Sequence, residues 1–183
     1  MRVEALRSKE EIQEFKVLLV DMNNGNTLYR DLFVFLSHTG YRISDALLVE
    51  FSHINDDELE VREQKTGKIR RVRLHPAVLT MIAERKEKHP HHVYLFEVET
   101  NRAKGKAVSR QSVSKAFREA GDRLGRKVGT HTGRKTLGYA VYRKTKDIGL
   151  TMKMLNHSSA ATTQAYIGIT DSDVSKAMME VDF

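Results

Sequence analysis

The hydrophobic period of this 183-residue chain changes partway along its length and then changes back. Over most of the sequence apolar residues recur three and four positions apart, as on one face of an α-helix. Between Leu59 and Leu74 they recur at every second position, as in a half-buried strand. The pattern predicts a mainly α (α+β) fold in which one small antiparallel β-hairpin flanks a helical core. Leu59 and Val61 belong to one strand and Val72 and Leu74 to the other. Gln64-Lys65-Thr66-Gly67-Lys68 joins them, with the turn at Thr66-Gly67.

Capping and breaking residues place the helices. Ser8-Lys9-Glu10-Glu11 has capping-box form ahead of Ile12, Phe15, Leu18 and Leu19, which predicts a helix over Lys9 to Met22. After the break at Asn23-Asn24-Gly25, Asn26 is the expected N-cap of a second helix burying Leu28, Leu32, Phe35 and Leu36 and ending at Gly40. A short third helix is expected over Ile43 to Val49. Beyond the hairpin, Pro76 suits the first turn of a helix carrying Val78, Leu79 and Ile82. His89-Pro90-His91-His92 breaks the chain before an expected strand over Val93 to Phe96, and Asn101 to Ala107 reads as a loop. Further helices are expected over Gln111–Leu124, Thr132–Thr145, Ile148–Leu155, Ala160–Tyr166 and Ser172–Met179. With no repeat and no dividing linker, residues 1–183 read as one domain.

Composition excludes several classes. A 40% hydrophobic content with only two prolines argues against disorder or a fibrous chain. The apolar runs fall far short of the roughly 20 residues of a membrane-spanning helix. Met1 to Glu14 lacks the apolar core of a secretory signal. The absence of cysteine rules out disulfides, thiolate zinc sites and thiol nucleophiles, so the cytosol is the default compartment. The net charge of +7 is unevenly spread: residues 61 to 150 hold 23 Lys/Arg against 8 Asp/Glu, whereas residues 1 to 60 hold 6 against 12. Such a basic block fits either a polyanion partner or a solvated surface.

Five short features then stand out in order. They are Thr39-Gly40-Tyr41-Arg42-Ile43-Ser44-Asp45, Lys65 at the hairpin tip, His131-Thr132-Gly133-Arg134, Leu155-Asn156-His157-Ser158-Ser159, and Tyr166 nine residues after His157. His131 and Arg134, three apart at a helix start, share one face. Collinear from Leu6 to Ile169, the set resembles the catalytic domain of the tyrosine recombinases, the phage-integrase family of site-specific DNA recombinases.

That resemblance implies double-stranded DNA as partner and Tyr166 as a nucleophile forming a 3′-phosphotyrosyl link. It implies Arg42 and Arg134 as clamps on the phosphate oxygens, His131 as acceptor of the tyrosine proton, His157 as a hydrogen-bond donor to the phosphate, and Lys65 as acid for the leaving 5′ oxygen. Lys68 is the runner-up for that last role. No metal, cofactor or ATP is implied. Arg70, Arg71, Arg73, Lys68 and Lys135 are the expected further DNA contacts. The resemblance also implies that the core-binding domain of most members is absent here. It implies self-association on DNA as a dimer or tetramer, with the tail over residues 168–183 and its stripe of Val174, Ala177, Met178 and Val181 packing either on its own protomer or on a neighbour. The expected location is the cytoplasm, at the nucleoid.

Two departures from the family pattern stand at Lys135, where the family often has His, and at Asn156, where Gly is common. Three rival readings remain. A DNA-binding relative without strand exchange keeps the same fold, and a type IB topoisomerase shares the same chemistry. Ser112-x-x-Lys115 with Lys65-Thr66-Gly67 resembles penicillin-recognising serine enzymes, but in the wrong order. Tyr139 and Tyr142 read as packing residues, His89, His91 and His92 as a solvated turn, and Asp45 as an orienting acid for Arg42 or for nearby backbone.

Overall fold

In the computed structural model, which describes residues 3–99, 104–169 and 171–182, Ser8 caps the first helix as its spacing predicts. Helix α1 runs over Lys9–Asp21, and the Ser8 hydroxyl and the Glu11 carboxylate satisfy each other's backbone N–H groups. Helix α2, Leu28–Thr39, starts one residue later than a cap at Asn26 would give, although the Asn26 side chain still accepts from Leu28 N at 2.9 Å. It ends at Gly40, whose φ of 64° lies in the left-handed region that glycine enters without steric cost.

Helix α3 is shorter than expected, Ile43–Ala46, because the chain turns so that Val49 can accept a hydrogen bond from Leu95 N at 2.8 Å. A single 3₁₀ turn, Phe51–His53, leads into the sheet. The sheet has three strands, not two: β1 (Ile54–Asn55), β2 (Glu58–Arg62) and β3 (Ile69–Arg73), antiparallel in that order. Leu59 pairs with Ile54 on one side and with Val72 on the other. Two residues of β1 are too few to display a period in the sequence.

Helix α4, Pro76–Lys88, follows with its proline in the first turn. The strand expected over Val93 to Phe96 does not form. Leu95 and Phe96 are both fully buried, so neighbouring side chains point inward together where a strand would alternate them, and only isolated bridges at Tyr94 and Glu97 remain. Residues 101–103 of the expected loop lie outside the described residues. Helices α5 (Arg110–Arg123), α6 (Thr132–Thr145), α7 (Ile148–Met154), α8 (Ala160–Ile167) and α9 (Asp171–Met179) match the predicted segments to within a residue or two at their ends.

The core joins α1, α2 and α5 through Phe15, Phe33 and Phe117, which meet edge to face with centroids 4.9 to 6.1 Å apart. Phe35, Phe96 and Tyr41 extend it toward the sheet. Helix α6 lies directly on α2, and Gly133 makes this possible. A β-carbon there would stand 2.9 Å from Leu36 Cβ and 3.3 Å from Ser37 N. Gly133→Ala is therefore expected to force the two helices apart and to destabilise the fold by about 1–3 kcal/mol, the usual cost of overpacking. A urea melt followed by circular dichroism checks this, and an unchanged midpoint would refute the close-packing account.

Candidate active site

Four local devices bring the predicted residues to one cleft. Gly40 stops α2, so Arg42 emerges in extended conformation as the N-cap of α3. The β2–β3 turn, closed by Glu63 N to Lys68 O at 2.9 Å and Gly67 N to Glu63 O at 2.8 Å, carries Lys65 exposed at its tip. His131 occupies the N-cap of α6 without making a side-chain cap bond, which leaves its imidazole available. Between α7 and α8, Asn156 adopts a φ of 48°, a left-handed conformation that asparagine tolerates, and this turn presents His157.

Tyr166, near the end of α8, meets them. Its Oη lies 3.3 Å from His131 Nδ1, and its ring stands edge-on to His157 at 4.9 Å between centroids. Arg134, fully buried, donates to the carbonyls of Gly40 and Leu155, the residues that lead into the Arg42 and His157 segments. One guanidinium thus ties α6 to both turns.

Electrostatics follow from this packing. Burial raises the Tyr166 phenol above its ordinary value, against the opposing pull of Arg134 and Arg42. Burial likewise lowers Arg134 to about 10, still charged at neutral pH. His131 is lowered by burial and then by Arg110, Arg134, Lys135 and Arg42. His157 is lowered to about 4 by burial and by Arg134, Arg42 and Lys65. Both imidazoles are therefore neutral at pH 7. His157 Nδ1 lies 3.1 Å from Thr163 Oγ1, whose hydroxyl donates to the Ser159 carbonyl at 3.2 Å. The Thr163 contact fixes the orientation of the His157 ring.

The lowered histidines make stability depend on pH. In the unfolded chain they take up protons near pH 6.5, and in the fold they resist protonation, so the unfolded state binds more protons below that pH. The melting temperature is expected to fall steadily as pH drops from 7 to 5. A flat profile in scanning calorimetry over that window would contradict these neutral imidazoles.

Two of the expected DNA contacts are used otherwise. Arg70, mostly buried, donates to the carbonyls of Thr39, Gly40 and Met154 at 2.9 to 3.1 Å and stacks over Tyr41. It braces the Arg42 segment from inside. Lys135 is buried as well, its Nζ 2.8 Å from Val3 O and 5.1 Å from the Tyr166 ring centroid. Arg71 and Arg73 are exposed on β3, each paired with an acid, Glu60 and Asp57, and Lys68 is exposed beside Lys65.

Asp45 Oδ1 accepts from Gln64 N at 2.9 Å and so steadies the base of the Lys65 turn, the backbone role open to it from the sequence. Tyr139 packs under the guanidinium of Arg7, 4.9 Å from its ring centroid. His89, read from the sequence as part of a solvated turn, is instead largely covered and lies 3.1 Å from Glu99. No cluster of three metal-ligating side chains occurs among the described residues.

One residue of the site was not anticipated. Glu63 is fully buried, 3.2 Å from Arg42 Nη1, and accepts from Thr66 Oγ1 at 2.9 Å and Asn156 Nδ2 at 2.8 Å. Burial pushes its carboxyl up, but those hydrogen bonds and the charges of Arg42 and Arg70 prevail and hold it below the ordinary range. The signal lay in the alternation: Glu63 continues the inward series Leu59, Val61, so an acid fell on the apolar face.

Comparison with known proteins gives the family and the fold. Residues 9–173 match the phage integrase family, and the chain belongs to it. It is 37% identical over 181 residues to the probable integrase/recombinase YoeC of Bacillus subtilis, covering 98% of this chain and 96% of that one. It is 28% identical to the tyrosine recombinase XerA of Pyrococcus furiosus, covering 91% of this chain but only 59% of XerA. The fold also matches the XerH site-specific recombinase, solved in a post-cleavage complex with a palindromic difH substrate. That match has a TM-score of 0.74 at 20% identity and covers 97% of this chain and 53% of that one. No helix of the described residues is long and apolar enough to cross a membrane.

Proposed function

We propose that this protein cuts and rejoins DNA as a tyrosine-type site-specific recombinase. The observation that carries the reading is the meeting of Tyr166 Oη with His131 Nδ1 at 3.3 Å in a cleft walled by Arg42, Arg134 and His157. A phenol raised by burial needs a base beside it, and neutral His131 supplies one. Tyr166 attacks the phosphorus, its proton passes to His131, and a P–O bond to Tyr166 forms as the P–O5′ bond breaks. Lys65, on its exposed turn, gives the leaving 5′ oxygen its proton.

Arg42 faces the non-bridging oxygens and stabilises the charge that develops there. Arg134 adds the field of a buried cation and fixes the frame. His157 donates a hydrogen bond to the phosphate. The phosphodiester energy stays in the tyrosyl link, so attack by a 5′-hydroxyl reseals the strand without ATP or metal.

Lys68, on the same turn as Lys65, and Arg71 and Arg73, exposed along β3, contact the DNA backbone. The exposed apolar residues of the tail, Val174, Met178 and Val181, support self-association of protomers on DNA. Incubation with a nicked, end-labelled suicide duplex, without magnesium or ATP, tests the reading. It predicts a protein–DNA adduct that survives SDS. Salt-sensitive DNA retention with no adduct would instead favour a DNA-binding relative of the family.

A further inference from the structure

The buried carboxylate of Glu63 touches three of the segments that make up the cleft. Its Oε1 faces Arg42 Nη1 at 3.2 Å and Arg70 Nη1 at 3.7 Å, while Oε2 takes hydrogen bonds from Thr66 in the Lys65 turn and from Asn156 in the His157 turn. Its own backbone closes the Lys65 turn. Arg42 Nη1 and Glu63 Oε1 are both buried and neither makes a directed hydrogen bond, so charge alone holds the two groups face to face. Arg134, by contrast, is fixed by two carbonyls. Arg42 is therefore the arginine whose aim depends on a side-chain anion.

We propose that Glu63 is a positioning residue that aims Arg42 at the reacting phosphate while holding the Lys65 and His157 turns in register with it. This rests on the recombinase reading given above. Glu63 never touches DNA and acts through Arg42, with Asn156 and Thr66 as the struts. Glu63→Gln keeps an acceptor for Thr66 and Asn156 but removes the charge that orients Arg42. The expected result is an adduct-formation rate about ten- to a hundredfold lower, the scale of a small misplacement of a catalytic group, with DNA retention unchanged.

A second substrate separates aim from general loosening. Replacing one non-bridging oxygen of the reacting phosphate by methyl gives a neutral centre on which an arginine clamp matters less. The Glu63→Gln penalty is expected to shrink at least tenfold on this methylphosphonate duplex. A merely structural role would slow both substrates equally, and that result overturns the proposal, as does a wild-type rate on the natural phosphate. If circular dichroism shows that Glu63→Gln does not fold, Glu63→Asp is compared instead. It keeps the charge but withdraws it from Arg42, and the same substrate-dependent penalty is expected. No adduct from the wild type would overturn this inference together with the reading beneath it, whereas a wild-type adduct with either contrary result overturns this inference alone.

Discussion

Arg134→Ala is expected to unsettle the fold and the chemistry together. The side chain is 2% exposed, and its guanidinium donates to the carbonyls of Gly40 and Leu155. Alanine leaves the Leu155 carbonyl without its donor, leaves the Gly40 carbonyl to Arg70 alone, and opens a cavity where α6 meets the two turns. The unpaired carbonyl costs about 1–3 kcal/mol and the cavity adds to it, while relief of the buried cation offsets part, so a net loss of about 3 kcal/mol is expected. For a chain of this length the melting temperature should fall by about 10 °C. Adduct formation should be lost as well, since the segments carrying Arg42 and His157 are both anchored on this residue. Arg134→Lys restores the charge but satisfies both carbonyls poorly, because an ammonium cannot copy the planar fork. It should recover part of the stability and little of the rate. A variant as stable as the wild type in a thermal melt would show that the two turns are held by something else.

Tyr166→Phe gives the opposite profile. The phenylalanine ring keeps the edge contact with His157 and the place beneath the Lys135 ammonium, and only the hydroxyl beside His131 is removed. Stability should change by no more than about 1 kcal/mol, the worth of one hydrogen bond. Adduct formation should fall below detection, a loss of more than about a thousandfold, because no other atom at that place can form the ester. DNA retention should persist with its salt dependence intact. The pair of variants separates an arginine needed for both architecture and chemistry from a tyrosine needed for chemistry alone.

Most of the architecture was legible in the sequence because local signals agreed with one another. The Ser8–Glu11 box, Gly40 after α2 and the period-two run at Leu59–Leu74 each had a physical cause that tertiary packing did not override. The misreadings have causes of their own. Val93–Phe96 is apolar in the manner of a strand, yet Leu95 and Phe96 are buried side by side among helices. Strand β1 is too short to carry a pattern.

In the site, the residues that converge on Tyr166 could be placed because their motifs fix how each leaves its helix or turn. Which cations face outward could not. Arg70 and Arg71 are neighbours on β3, but the pleat sends Arg71 to solvent and Arg70 beneath Tyr41 and onto three carbonyls. Lys135 follows Arg134 on α6 and turns toward Val3, a contact 132 positions away that no local pattern encodes. Glu63 was visible only as a charge out of place on an apolar face.

The most direct measurement is to find which side chain carries the DNA. The wild-type adduct formed on the suicide duplex is digested with trypsin and nuclease, and the nucleotide-bearing peptide is sequenced by mass spectrometry. The expected peptide is the one containing Tyr166, with a 3′-phosphate ester on the phenolic oxygen. Attachment at Tyr139 or Tyr142, or a labelled duplex that remains entirely free of protein, would contradict the assignment of Tyr166 as the nucleophile.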